Sequence, residues 1–225
     1  MKQRVKIDRL LAATTAICFT AVLYLFPRLF VTIPGVDNLI VLIGLIIALD
    51  GNVLRMAARG HKKARSNKSN YLVTSGPYTL VRNPMYLGSF LIGAGFVLIA
   101  WPWWMLPMFT LAFYLRFKKQ IAKEEIFLHS TFGNQYKNYC AKVPRFFPAL
   151  KNPFDSHHRE TFDLDELFST KETWGLLAWP ILAILLKSIQ EKIILGHTDI
   201  PENILIFSGG MAMYAVGFLF LYKTE

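Results

Sequence analysis

Residues 75–90 read SGPYTLVRNPMYLGSF, and how this stretch divides into turn and helix decides how the chain folds. Asn is favoured at a helix N-cap, and Pro suits the first helical position because its missing N–H costs nothing there. Asn83-Pro84 therefore predicts a helix start, and the residues that follow, LGSFLIGAGFVLIA, are almost wholly apolar. Upstream, Ser75-Gly76-Pro77 predicts a turn that delivers Tyr78 to the same end of the helix. Arg82 and Asn83 then sit at the positive end of the helix dipole, where free backbone N–H groups can receive an anion. Tyr86 falls on the first turn, and Gly88 leaves one face of that turn open to close approach. A capped membrane helix with a snorkelling arginine has the same local signature.

Outward from this stretch the chain has 225 residues, of which 53% are hydrophobic. The apolar residues come in blocks of about 15 to 22 with few charges, a length that crosses a hydrocarbon core of roughly 30 Å. The expected fold class is all-α: a polytopic membrane helix bundle with about six spans, near 10–32, 37–57, 85–100, 103–118, 172–190 and 203–222. Trp101-Pro102-Trp103-Trp104 makes a tight turn at the interface, where an amphipathic ring is comfortable. Six spans put both termini on one side. Only Arg28, Lys187 and Lys192 fall in loops on the other side, so the basic side is cytoplasmic by the positive-inside rule. The net charge of +10 then reports topology and attraction to anionic lipid, and nucleic acid is not an expected partner.

The start, MKQRVKIDRLLAATTAICF, reads as an uncleaved signal anchor, because no small-x-small cleavage site follows its apolar run. Cys18 in the first span and Cys140 on the cytoplasmic side are not placed to form a disulfide. The chain has no CxxC, no HExxH and no Cys/His ligand cluster. His157-His158 reads as an exposed loop pair, and no metal is expected.

Two cytoplasmic segments carry the informative residues. The first covers 58–84, the second 117–171. In the second, Phe117, Ile121, Leu128 and Phe132 form a helical stripe, and Glu124 and Glu125 straddle its seam. Acids on an apolar seam need a partner or a ligand, although nearby Lys118, Lys119 and Lys123 also fit a solvated face. Gly133 is expected to break the helix, Tyr136 and Tyr139 to lie on a short helix after it, and Val143-Pro144-Arg145 to end it. Near 163–168 the sequence DLDELF has the spacing of a short capped helix, with Asp163 as N-cap and Glu166 three residues on. Its leucines and phenylalanines fit either a bilayer surface or a plain linker. Asp50, Asn52 and Arg55 lie at membrane depth. Asp50 is expected to hydrogen-bond between helices or to serve a function. Ser89/Gly93 and Ser208/Ala212 are read as helix-packing pairs.

The combination GPYTLVRNPMYLG (76–88), followed about 35 residues later by EEIFLHSTFGNQYKNYCAKVPRFFP (124–148), resembles the isoprenylcysteine carboxyl methyltransferase and phospholipid methyltransferase family. The likeness covers roughly residues 40–150 and lies in the order of Gly-x-Tyr, Arg-His-Pro-x-Tyr-x-Gly, Glu-Glu, Phe-Gly-x-x-Tyr-x-x-Tyr and Arg-x-x-Pro. It implies an integral membrane enzyme that uses S-adenosylmethionine, bound in a pocket at the cytoplasmic helix ends, to methylate a lipid or prenylated acceptor. The membrane would be a bacterial inner membrane or one of endoplasmic-reticulum type. Carried over, the cofactor contacts are Tyr71, Leu72, Val73, Tyr78, Asn83, Pro84, Met85, Tyr86 and Glu124. Arg82 would orient an acidic group, and Glu125 would support the site. The family histidine is Asn83 here; Asn reproduces a hydrogen bond but does not titrate near neutral pH. On this reading residues 1–150 are the methyltransferase core, 151–171 a cytoplasmic linker or short interfacial helix, and 172–225 an added helix pair. Membrane sterol and steroid reductases that use NADPH have a similar Arg-His-Pro-x-Tyr pattern and are the nearest alternative, with a non-catalytic scaffold a further one. Met85 before Tyr86, and the Glu124-Glu125 pair, favour the methyltransferase.

Overall fold

The computed structural model describes residues 21–30, 36–66, 71–148 and 163–223. The described residues are helical or irregular, with no strand among them. The principal helices are α1 (Val36–Ser66), α2 (Pro84–Ala100), α3 (Leu106–Lys142), the short α4 (Leu164–Phe168), α5 (Gly175–Leu195) and α6 (Ile200–Lys223). Three stretches are long and apolar enough to cross a membrane: Val36–Arg65, Lys171–Leu195 and Ile200–Leu219; the apolar helix Pro84–Ala100 is shorter. The sequence-predicted first span lies mostly outside the described residues. Of it, 21–25 is helical and Pro27–Phe30 forms a 3-10 turn. The predicted fourth span and the stripe that follows it lie on one helix, the first part of α3. Nothing between Phe117 and Phe132 interrupts its helical pattern, and the break expected at Gly133 is present, with φ +49° and ψ −122°, so that Tyr136 and Tyr139 lie on the short helical piece after it.

α1 and α2 form the centre of the bundle, and glycine decides how closely they meet. Gly51 and Gly88 face each other so tightly that a Cβ on either would lie 2.6 Å from the other's carbonyl oxygen. Gly44 and Gly95 repeat the contact two turns away. Small residues at such a seam let backbones approach and gain van der Waals contact, which is the main drive for helix association in lipid. The predicted packing pairs divide. Ser89 accepts a hydrogen bond from Arg55 of α1, and Gly93 makes room for the Phe109 ring of α3, so that pair does sit between helices. Ser208 and Ala212 are exposed.

α5 and α6 complete the core by packing Ala183 and Phe207 against Val41, Leu45 and Leu49 of α1 and Ile99 of α2. Asn52, Lys187 and Asp50 are each paired at this depth. Trp179 Nε1 donates to Asn52 Oδ1 at 3.1 Å. Lys187, which the sequence placed in a loop, is buried within α5 and ion-paired with Asp37 at the start of α1; an unpaired ammonium there would be costly. Tyr214 of α6 donates to Asp50 of α1 at 2.8 Å, the interhelical bond expected for Asp50. Tyr214→Phe is expected to cost about 0.6 kcal/mol, and no more than about 1.7, measured by unfolding in detergent micelles.

α4 forms where the sequence predicted it, with the Asp163 carboxylate accepting from the backbone N–H of Asp165 at 2.9 Å and of Glu166 at 3.4 Å. Its burial differs from both sequence readings. Leu167 is 1% exposed and packs on Val53, Met56 and Ala57, so α4 docks on the protein. Gly60 permits this: any side chain there would run into the Glu166 carbonyl.

Candidate active site

The turn before α2 is built on a histidine. Gly76 has φ +62°, and a Cβ there would sit 2.5 Å from the His61 ring, so only glycine serves both the backbone and the space. His61 is 1% exposed. Its Nε2 lies 2.9 Å from Ser75 Oγ, and its Nδ1 2.9 Å from Glu166 Oε2 and 2.7 Å from Arg65 Nη1. From this base the 3-10 turn Gly76–Thr79 carries Tyr78 inward. The Tyr78 hydroxyl donates to the Ala58 carbonyl at 3.5 Å, and the Tyr78 carbonyl accepts from the Tyr139 hydroxyl at 2.7 Å.

α2 starts at Pro84 with Asn83 as N-cap, as predicted. The cap is made by backbone alone: the Asn83 carbonyl accepts from Tyr86 N and Leu87 N, both at 3.1 Å. Its side chain turns away to α3, where Nδ2 donates to Glu125 Oε1 at 3.4 Å and to the Arg145 carbonyl at 3.2 Å.

The two sequence motifs meet beside the start of α2. Tyr86 donates to Glu124 Oε1 at 2.7 Å. Arg82 Nη1 stands 3.5 Å from Glu125 Oε1, and its backbone N–H donates to the Pro144 carbonyl at 2.8 Å. Asn83 makes the contact with Glu125 already described. Arg145 closes the group, with Nη2 2.9 Å from Glu125 Oε2. The Tyr86 ring packs edge-on against Phe117, centroids 5.5 Å apart. Ile121 is buried beneath the acids.

The two acids differ in charge balance. Glu125 faces two guanidiniums. Glu124 takes hydrogen bonds from Tyr86 and from Gln120 Nε2 at 2.7 Å; among the described residues its partners are uncharged donors. Among the described residues that leaves one carboxylate, beside an aromatic ring, without a cationic partner, an arrangement suited to a cation. Arg82 has its Nε buried without a partner. Burial works against its charge, but the Glu125 carboxylate and the Cys140 sulfur outweigh it and hold the guanidinium above its ordinary value. Cys140 is a free thiol, 3.1 Å from Arg82 Nη1; Cys18 lies outside the described residues.

Burial, with the Glu124 charge adding to it, pushes the Tyr78 phenol up to about 12, and burial raises Tyr136 and Tyr139 as well. These phenols stay protonated at physiological pH. A raised folded-state value favours the neutral form in the fold, so its contribution to stability is complete below the ordinary tyrosine value of about 10. It is lost as pH climbs through about 12. We expect part of the tyrosinate absorbance of the detergent-purified protein to appear only as pH climbs through about 12, together with loss of melting temperature.

The remaining predicted residues are less convergent. Pro84 is buried at the start of α2, and Met85 is half-buried with its carbonyl accepting from Ser89 Oγ. Leu72 is 5% exposed, packed with Tyr136 and Tyr139 of α3; that contact occupies its side chain. Val73 is half-buried and Tyr71 is 51% exposed. Sequence reasoning gave no role to His61 or Gln120, and used Ser75 and Arg145 only as turn and helix-end residues. Arg145 had a signal, the Arg-x-x-Pro spacing; His61 sat unmarked in a basic run. His157 and His158 lie outside the described residues.

Residues 40–135 match the family model described as phospholipid methyltransferase. The protein-S-isoprenylcysteine O-methyltransferase of Schizosaccharomyces pombe is 34% identical over 87 residues, 39% of this chain and 37% of that protein. The Xenopus laevis protein of the same name is 36% identical over 117 residues, 48% of this chain and 41% of its own length. The cobalt-zinc-cadmium resistance protein CzcN of Cupriavidus metallidurans is 37% identical over 83 residues, 37% of this chain and 38% of that protein. The matches thus span about two fifths of the length of these relatives. No solved structure matches the chain. The matched region holds residues of both motifs quoted above, from the Asn83-Pro84 helix start to Glu124-Glu125 and Gly133, and over it this chain is similar to the phospholipid methyltransferase family and to these protein-S-isoprenylcysteine O-methyltransferases.

Proposed function

We propose that the chain transfers a methyl group from S-adenosylmethionine to a lipid or lipid-modified acceptor at the cytoplasmic face of a membrane. The observation that carries this is the meeting of Tyr86 with Glu124 and of Arg82 and Asn83 with Glu125. Sequence-distant motifs there bring a carboxylate that has no cationic partner among the described residues, and an aromatic ring, beside an arginine with a buried, unpartnered Nε. These residues fit the cofactor's chemistry. A sulfonium is cationic and a ribose offers hydroxyl donors, and Glu124 with the Tyr86 and Tyr78 rings would hold both. When bound, the cofactor supplies an activated methyl group. The chain's part is to hold donor and acceptor in line at the interface and to keep water out, and alignment of this kind can contribute several kcal/mol. Arg82 and Asn83 would orient an acidic group of substrate or cofactor through N–H donors, and Glu125, clamped by Arg145, would keep that pair in place.

The same reading takes the bundle to have six spans with both termini cytoplasmic. α1 supports it, since it continues past its apolar part into Arg55, Arg59, Lys62, Lys63 and Arg65 at the end where the site lies. A water-soluble donor and a lipid-borne acceptor share only that interface, and a prenylated or phospholipid acceptor would enter between the spans. Incubating membranes that contain the protein with labelled methyl donor tests the proposal. Label is expected in a lipid or prenylated fraction, dependent on the protein; no protein-dependent label in either fraction overturns it.

A further inference from the structure

The family match ends at residue 135, yet the turn that carries Tyr78 rests on a residue well beyond it. Glu166 of α4 contacts His61 Nδ1 at 2.9 Å, and His61 Nε2 contacts Ser75 Oγ at 2.9 Å. Ser75 begins the turn whose Gly76 lies flat on the His61 ring. The second Glu166 oxygen is held by Arg65 Nη1 at 2.7 Å. α4 has little freedom to shift. Leu167 is 1% exposed, the Glu166 backbone fills the notch at Gly60, and Glu172 bonds Arg55 at 2.9 Å and Arg59 at 2.7 Å. Arg55 in turn donates to Ser89 on α2.

We infer that Glu166, acting through His61 and Ser75, is a positioning residue for the cofactor-binding turn, so that the segment following the family core is part of the methyl-donor site. The inference rests on the proposed reading that residues 71–86 bind the cofactor. A buried imidazole with both ring nitrogens engaged is fixed in rotation, and a fixed imidazole gives Ser75 one hydrogen-bonding geometry. Without the carboxylate the ring can turn, and Ser75, Gly76 and Tyr78 lose a common reference point. Preorganisation of this kind shows in affinity, because the ordering otherwise falls on the binding step.

The test is calorimetry of S-adenosylhomocysteine with the full-length protein in detergent micelles, on the parent chain, Glu166→Gln, Ser75→Ala and the double variant, each with its melting temperature. Glu166→Gln and Ser75→Ala are each expected to weaken binding about tenfold. The double variant should bind within about twofold of the weaker single one, since residues in one network do not add. Glu166→Asp, which keeps the charge, should recover part of the loss. Parent-like affinity in folded Glu166→Gln, or fully additive losses, overturns the inference while leaving the proposed function standing. If Glu166→Gln fails to fold, Ser75→Ala reads the same link from the other end, and parent-like affinity there overturns it too. A parent chain that binds no S-adenosylhomocysteine removes the proposed function, and this inference falls with it.

Discussion

Arg82→Ala is expected to lower methyl transfer by about a hundredfold or more, the usual cost of removing a preorganised donor from a site, with membrane insertion unchanged. Arg82 is half-buried, its Nη1 lies 3.5 Å from Glu125 Oε1, and its Nε has no partner. Its loss does not strand Glu125, which keeps Arg145 at 2.9 Å and Asn83 at 3.4 Å. Stability should therefore change little while the donor proposed to orient an acidic group of substrate or cofactor disappears. Arg82→Lys restores the charge but not the planar fork and should rescue only partly. Transfer of labelled methyl in membranes is the measurement, with the amount of inserted protein held equal; undiminished turnover removes Arg82 from the site.

The second large effect is on assembly. In Gly51→Val the new Cβ would stand 2.6 Å from the Gly88 carbonyl oxygen and 2.8 Å from the Ile92 amide nitrogen. Both are backbone atoms, so no side chain can swing clear, and α1 and α2 must separate. Overpacking of this kind costs typically 1–3 kcal/mol, and we expect Gly51→Val near the upper end, at about 3 kcal/mol. Gly88 lies on the first turns of α2, so the separation also moves Arg82 and Asn83 relative to Glu125. Thermal unfolding in detergent should show a lowered midpoint, and S-adenosylhomocysteine affinity should fall with it. Gly209→Ala, which meets open space, is the control and should leave both unchanged.

Much of this architecture could be read from local chemistry. Asn83-Pro84 marks a helix start because cap and first-turn preferences depend on neighbouring residues alone. Gly133 marks a break for the same reason, and Asp163 with Glu166 three residues on marks a short helix. Glu124 and Glu125 straddle an apolar seam, so period alone turns them toward the protein. Contacts between distant segments left less trace. His61 carries no periodic signal within HKKARS, and its importance appears only when Glu166, 105 residues away, comes to lie beside it. Lys187 reads as a loop charge because nothing nearby reveals Asp37, 150 residues earlier. The Asn83 side chain followed Glu125 instead of its own helix end, since the backbone had already made the cap. The glycine seam of α1 and α2 was missed, whereas Ser208/Ala212 has the packing spacing and is exposed. Spacing shows that small residues share a face but does not show which face meets a neighbour.

The central claim is that residues 71–86 and the Glu124-Glu125 turn of α3 jointly enclose S-adenosylmethionine. Its most direct test is photolabelling of the full-length protein with radiolabelled S-adenosylmethionine, followed by peptide mapping. Label is expected on peptides from both stretches and should be displaced by S-adenosylhomocysteine but not by NADPH. Label confined to other parts of the chain, or displaced by NADPH alone, would contradict the account.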